Sequence, residues 1–271
     1  MSERVSIKIE NGVADVRLNR PDKMNAIDGA MFKGLITAGK ELAANPKVRA
    51  VVLSGEGRAF CAGLDMSSFQ RMGDGGGSGG DSGEGTPFDR DESPANAAQR
   101  GAYIWQELAV PVIAAIHGVA YGGGFQIAMG ADIRYVAPDA RLSVMEIKWG
   151  LIPDMTGTQT LRNLVRLDVA KELTFSGRVI SGTEAHELGL ATRVSESPLD
   201  DALELAREIA SKSPDAIRAA KKLLNSSVQV SVAEGLQLEE KLQRNLIGSP
   251  NQVEAVRSNL EKRPPNFNDP S

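Results

Sequence analysis

One cysteine and two histidines in 271 residues leave little material for disulfides or for metal ligation. A lone thiol, Cys61, closes no internal bridge, and His117 and His186 stand in no metal-ligand spacing. No charge of one sign dominates, since 31 basic residues meet 35 acidic ones for a net charge of −4, which argues against non-specific nucleic-acid binding. The longest apolar run, residues 109–116, is far short of the roughly 20 residues that a membrane span requires. The opening MSERVSIKIE carries neither an apolar signal core nor an Arg-rich leader, and the closing NFNDPS is no peroxisomal tripeptide. The expectation is a cytoplasmic, globular chain with no membrane and no nucleic-acid partner.

Glycine is what the sequence has in excess, 28 residues where average usage gives about 19. Eight of them fall between Gly73 and Gly85, in a stretch without one apolar residue. Such a stretch cannot bury enough surface to offset the entropy of ordering it. A flexible surface insertion, or a mobile flap over a site, is expected there. The glycines that remain match an ordinary protein.

Around that insertion the hydrophobic pattern alternates between two periods. Residues 5–9 and 13–18 read as strands joined at Asn11-Gly12, a dipeptide that favours a tight hairpin turn. Asp28 is placed to cap a helix with apolar residues at Met31, Phe32, Leu35, Ile36 and Leu42, and residues 50–53 follow as a buried strand. The pattern repeats as helix 95–108, strand 112–116, helix 124–129 and strand 133–136. Beyond residue 156 helices take over, at 156–165, 168–174, 182–188, 199–211, 214–225 and 232–247, with one strand-like stretch at 191–194. Alternation alone points to an α/β core over residues 1–200, drawn as an open, doubly wound parallel sheet, and a helical region over 201–271.

Two glycine-bearing segments invite chemistry. Gly57-Arg58-Ala59-Phe60-Cys61-Ala62-Gly63-Leu64-Asp65 follows a strand and lets backbone approach a ligand closely. His117-Gly118-Val119-Ala120-Tyr121-Gly122-Gly123-Gly124-Phe125-Gln126 runs from strand through glycine turn to helix, which aims unpaired N–H groups at an anion or a developing oxyanion. Neither matches a G-x-G-x-x-G fingerprint or a phosphate loop. Cys61 with His117 lacks a third orienting group, so thiol catalysis is set aside.

Taken together, Asn19-Arg20-Pro21-Asp22-Lys23-Met24-Asn25-Ala26, the two segments above, Ala131-Asp132-Ile133-Arg134, Glu146, Gly150-Leu151-Ile152-Pro153 and Gly157-Thr158-Gln159 resemble the crotonase superfamily, the enoyl-CoA hydratase/isomerase family. The order and spacing match over most of the chain. The resemblance implies an α/β fold, a crotonase-like spiral of ββα turns whose strands form two nearly perpendicular sheets, with a C-terminal helical region that builds homotrimers, often paired as hexamers. It implies an acyl-CoA substrate and no resident cofactor, coenzyme A arriving as part of the substrate.

By the same resemblance the N–H groups of Leu64 and Gly123 hold the thioester oxygen. Coenzyme A lies along Lys23, Asn25, Ala26, Ala62, Gly63, Asp65, Gly124 and Gln126, mostly on backbone, with Arg58 as a local phosphate partner. Preorganised donors at an enolate oxygen are worth roughly 10²–10³ in rate each. Hydratases of the family use two glutamates around one water, and this chain has Glu146 at one position and Gln126 at the other. A carboxamide trades no proton near neutral pH. A second carboxylate does stand eight residues after Glu146, at Asp154. That pair resembles the acid/base pair of dienoyl-CoA isomerases, although those usually carry an aspartate where Gln126 stands.

The first expectation is therefore a double-bond isomerase working through Glu146 and Asp154, whose pKa values an apolar site would push apart. A 2-enoyl-CoA hydratase with Glu146 as base and Gln126 orienting water is one alternative, and a non-catalytic acyl-CoA binder is another. Asp154 has a plainer reading as a cap for the helix that begins near Thr156. Met145 and Trp149 are expected to line the acyl pocket.

Overall fold

The computed structural model describes residues 3–75, 88–90 and 92–270. Strands β1 (Val5–Glu10) and β2 (Val13–Leu18) form the expected hairpin, pairing antiparallel from Val5 with Leu18 to Glu10 with Val13. Asn11 and Gly12 turn it with φ of 50° and 80°. Helix α1 (Gly29–Ala44) starts where the Asp28 carboxylate accepts the Met31 N–H at 2.8 Å, and it buries Met31, Leu35, Ala38 and Leu42 along one stripe. It returns the chain to β3 (Ala50–Gly55), parallel to β2.

Next come α2 (Met66–Gly73) and α3 (Ala97–Glu107), the latter opened by an Asn96–Gln99 capping box. Strand β4 (Val112–Ile116) then lies parallel to β3. The insertion expected over 73–85 lies, from residue 76 to 85, outside the described residues, and its first residue, Gly73, ends α2.

Here the architecture departs from an open doubly wound sheet. Two residues after β4 the chain forms β5 (Val119–Tyr121), which pairs not with β4 but in a second sheet, before α4 (Gly123–Met129). The next turn repeats this: β6 (Ile133–Val136) joins the first sheet and β7 (Arg141–Ser143) the second. After α5 (Gly157–Leu164) and α6 (Leu167–Ser176), β8 (Ile180–Ser181) closes the second sheet antiparallel to β7. Helix α7 (Gly182–Glu187) leads to β9 (Arg193–Val194), the last strand of the first sheet. The first sheet thus runs β1-β2-β3-β4-β6-β9 and the second β5-β7-β8. Successive strand–strand–helix turns wind between them, as the resemblance implies. Periodicity could not separate the sheets, because strands of two or three residues carry no readable alternation.

Alternate residues of the first sheet face opposite ways. Val16, Leu18, Val51, Leu53, Val112 and Ile116 enter the main core with α1, α3 and α4. Val13, Val52, Ile113 and Ala115 face α8 (Pro198–Ala210), which lays Ala202, Ala206 and Ala210 against them. The division expected after residue 200 falls inside this helix. Helices α9 (Pro214–Ser227), α10 (Val232–Leu246) and α11 (Pro250–Leu260) follow, and α10 buries none of its residues. Among the described residues no helix is long and apolar enough to cross a membrane.

Candidate active site

The two glycine-bearing segments, far apart in sequence, run side by side. Phe60 donates its N–H to His117 O at 2.9 Å, Cys61 to Val119 O at 3.0 Å, and Tyr121 donates back to Cys61 O at 3.0 Å. This extends the second sheet through a parallel bridge between Cys61 and Ala120. Gly63 adopts φ 87°, and a Cβ there would lie 2.6 Å from Tyr121 O and 3.7 Å from Gly123 N, so only glycine lets the segments close up. Gly122 turns the chain into α4 with φ 51° and ψ −121°, a region reserved for glycine.

Two amides are left over at this junction. Ile27 and Leu64 form a parallel bridge in which Ile27 donates to Gly63 O and Asp65 donates to Ile27 O. The Leu64 N–H therefore faces away from that bridge and donates to no acceptor among the described residues. Gly123 is the first residue of α4, so its N–H has no carbonyl one turn back to meet. Both N–H groups stand in the neighbourhood of Gly63.

A carboxylate stands beside them. The Gly122 N–H donates to Ser143 O at 3.0 Å, which docks the end of β7 on the glycine turn. Three residues on, Glu146 opens a 3₁₀ turn, Glu146–Trp149, and a Cβ on Gly122 would lie 3.5 Å from its Oε1. Glu146 is buried, and Oε1 accepts a 2.6 Å hydrogen bond from Gln126 Nε2, whereas Oε2 is buried without a partner among the described residues. Burial pushes this carboxyl above the usual range, the Gln126 donor draws it back in part, and the charge of Asp154 adds to the rise. Asp154 is raised as well, by desolvation, although it keeps an exposed face. It does not cap α5, whose first turn follows Thr156 without any side-chain cap.

Gln126, which the hydratase alternative has orienting a water, engages its carbonyl inside the protein. Its Oε1 accepts the N–H groups of Met155 at 2.8 Å and Gly157 at 2.9 Å. Asn25 and Asp65 likewise spend their side chains inside the protein. Asn25, fully buried, donates through Nδ2 to Ala59 O at 2.8 Å and to Glu56 O at 3.0 Å while Oδ1 accepts from the Arg20 N–H at 2.8 Å. Asp65 caps α2 by accepting the Ser67 N–H at 2.8 Å and pairs with Arg20 at 2.5 Å. Their backbone groups are engaged too: Asn25 N–H donates to Arg20 O at 2.9 Å and Asp65 N–H to Ile27 O at 3.0 Å, so neither residue offers a free polar group to a ligand.

Ala26, Gly63 and Gly124 are buried, Ala62 is half-buried, and Lys23 and Arg58 are exposed on the loops alongside. Cys61 is buried and its thiol is pushed up to about 12 by desolvation, which keeps it protonated at neutral pH. His117 rests Nε2 on Gly57 O at 2.9 Å. Arg134 is consumed by the carbonyls of Ala131 and Leu190 at 2.6 Å each. Trp149 is exposed and stacks on Phe69 of α2 at 4.0 Å between ring centroids, while Met145 is half-buried. Sequence reasoning missed Phe69 and the left-handed Thr156, neither of which has a local signal.

The structure matches that of enoyl-CoA hydratase from Bacillus anthracis with a TM-score of 0.85 and 31% identity, covering 98% of this chain and all of the other. The sequence profile described as enoyl-CoA hydratase/isomerase matches residues 8–270, and the chain belongs to that family, within the crotonase superfamily. It is 34% identical over 264 residues to the mitochondrial methylglutaconyl-CoA hydratase of Mus musculus, covering 94% of this chain and 79% of the relative. It is also 34% identical over 261 residues to the peroxisomal Delta(3,5)-Delta(2,4)-dienoyl-CoA isomerase of Arabidopsis thaliana, covering 95% and 93%. Relatives thus include both a hydratase and an isomerase.

Proposed function

We propose that this enoyl-CoA hydratase/isomerase family member shifts the double bonds of an enoyl- or 3,5-dienoyl-CoA, with Glu146 and Asp154 moving the proton. The observation that carries this reading is the commitment of Gln126 to Glu146 and to the Met155 and Gly157 amides. In this reading the acid/base pair is Glu146, beside the glycine turn, and Asp154, whose charge acts on Glu146, both raised by desolvation. One carboxylate removes a proton from the carbon next to the thioester, and the electron pair moves onto the thioester oxygen. The free N–H groups of Leu64 and Gly123 are the donors for that oxyanion. The other carboxyl returns a proton at the far end of the conjugated system, so the double bonds migrate with no net gain of atoms. Lys23 and Arg58 are the exposed cations available to the phosphates of coenzyme A.

A hydratase is the second reading, favoured by the likeness to methylglutaconyl-CoA hydratase. Incubation with 2-enoyl-CoA and with 3,5-dienoyl-CoA in ¹⁸O-labelled water separates the two. Double-bond migration without label is the expected result, and rapid label uptake with no migration overturns the isomerase reading. In Glu146→Gln, turnover should fall by about 10²-fold or more with acyl-CoA affinity retained. Binding without turnover in the unmodified protein would instead mark a non-catalytic acyl-CoA binder.

Assembly belongs to the same proposal: the chain forms a homotrimer or hexamer through its C-terminal helices. Support comes from apolar side chains left exposed on one chain, among them Leu224 and Val228 at α9 and Val232 and Leu236 on α10.

A further inference from the structure

Gln126 ties together two points of the chain, Glu146 and the backbone of residues 155–157. It projects from α4, is 1% exposed, and divides its carboxamide between them. The nitrogen end holds Glu146 Oε1 at 2.6 Å, and the oxygen end gathers the N–H groups of Met155 and Gly157. Those two amides flank Thr156, which has φ 71° and a buried hydroxyl without a partner among the described residues. A β-branched residue takes up that backbone conformation only where its surroundings impose it. The close approach is built into the backbone as well, because a Cβ on Gly157 would lie 2.7 Å from Gln126 Oε1.

We propose that Gln126 is a positioning residue that fixes Glu146 and Asp154 relative to one another, occupying Oε1 of Glu146 and leaving Oε2 as the oxygen that exchanges a proton. Its hold on residues 155–157 anchors the segment just after Asp154. The inference rests on the acid/base roles given above to Glu146 and Asp154. Of the common side chains of this length and shape, only a carboxamide supplies both ends of the clamp whatever the pH. Leucine supplies neither, and an ionised glutamate accepts from the two amides but repels Glu146.

Among the described residues, few other charges bear on Glu146. Asp154 is the charged neighbour that raises it; Lys148, in the same turn, lies over the Trp149 ring at 5.3 Å, and Glu172 of the adjoining α6 is paired with Arg178 at 2.7 Å. A change in Glu146 titration on altering Gln126 therefore reports the clamp.

The test follows Glu146 by ¹³C NMR of protein labelled at glutamate carboxyls, its resonance identified by its absence in Glu146→Gln. In Gln126→Leu the donor is lost, so Glu146 should titrate at higher pH than in the unmodified protein, and the Met155 and Gly157 amides should exchange faster. The matching limb of the pH–rate profile should move up with it, and kcat should fall by about 10²-fold with KM little changed. Gln126→Glu keeps the acceptor end and, while protonated, the donor. It should regain activity on the acid side and lose it as pH rises, with two coupled titration steps. Gly157→Ala, which presses on the clamp and touches neither carboxyl, should move Glu146 the same way by less, and it serves if Gln126→Leu does not fold.

Unchanged Glu146 titration in both Gln126→Leu and Gly157→Ala overturns the proposal, as does wild-type kcat in a folded Gln126→Leu. The titration needs no substrate, so failure of isomerisation with the shift intact sinks only the functional reading. Isomerisation with no shift sinks only the clamp.

Discussion

Asp65 shows how one residue can match a family motif and yet act structurally. Burial works against its charge, but the Ser67 hydrogen bonds and the Arg20 guanidinium prevail and hold it at about 2. A carboxylate depressed in the folded state stabilises it above the unfolded pKa, near 4, and that contribution disappears as pH falls towards 2. Asp65→Asn should therefore lose about 2 kcal/mol at pH 7 and flatten the stability curve between about pH 4 and 2, as read by urea denaturation. Glu146 has the opposite sign. Its raised carboxyl favours folding below the unfolded pKa, and that advantage is lost as pH rises through the folded value. Glu146→Gln should accordingly melt higher than the unmodified protein at pH 7 while having lost turnover; equal or lower melting would contradict the buried, unpaired charge. The identity of Glu146 and the spacing to Asp154 were legible in the sequence. The engagement of Gln126 was not, since its amide partners lie 29 and 31 residues away and depend on how β7 docks.

Among elements, the long ones could be read and the short ones could not. Helix α1 and strands β3 and β4 declared themselves through cap residues and apolar period. Strands β5 and β7, of three residues each, exist because β4 and β6 deliver the chain to a second layer, and the two-residue β8 because it pairs with β7 after α6, all tertiary causes. Helix α11 was also missed. Helix α9 is tied to the core by Lys221, whose Nζ donates to Trp105 O at 3.1 Å and Val110 O at 3.0 Å and pairs with Asp132 at 2.7 Å. Burial lowers this ammonium and Asp132 partly restores it. Removing one member of such a pair leaves the other charge uncompensated. Lys221→Met should cost about 3 kcal/mol and speed hydrogen exchange in α9 ahead of β1–β4. Uniform exchange throughout the chain would show that α9 is not anchored there.

At the scale of the molecule, α10 exposes Val232 and Leu236 at 79% and 58%, more apolar surface than a helix normally leaves to water. The expected outcome in light scattering is a trimer or hexamer for the unmodified chain and dissociation in Val232→Asp with Leu236→Glu. A monomer at micromolar concentration in the unmodified chain would refute the assembly. By itself the sequence determined the α/β alternation, the Asp28 cap, the glycine turns and the position of Glu146, because these rest on local dihedral preference and on side-chain period. It also accounted for the glycine excess as one polar stretch. Beyond what the resemblance implied, only the tertiary structure decided which strands go to which sheet, that the Leu64 and Gly123 amides near Gly63 meet no acceptor among the described residues, and that the side chains of Gln126, Asn25 and Asp65 are engaged internally. Those outcomes depend on which hydrogen-bonding groups meet across dozens of residues, and a partner brought in by folding leaves no mark in the local pattern.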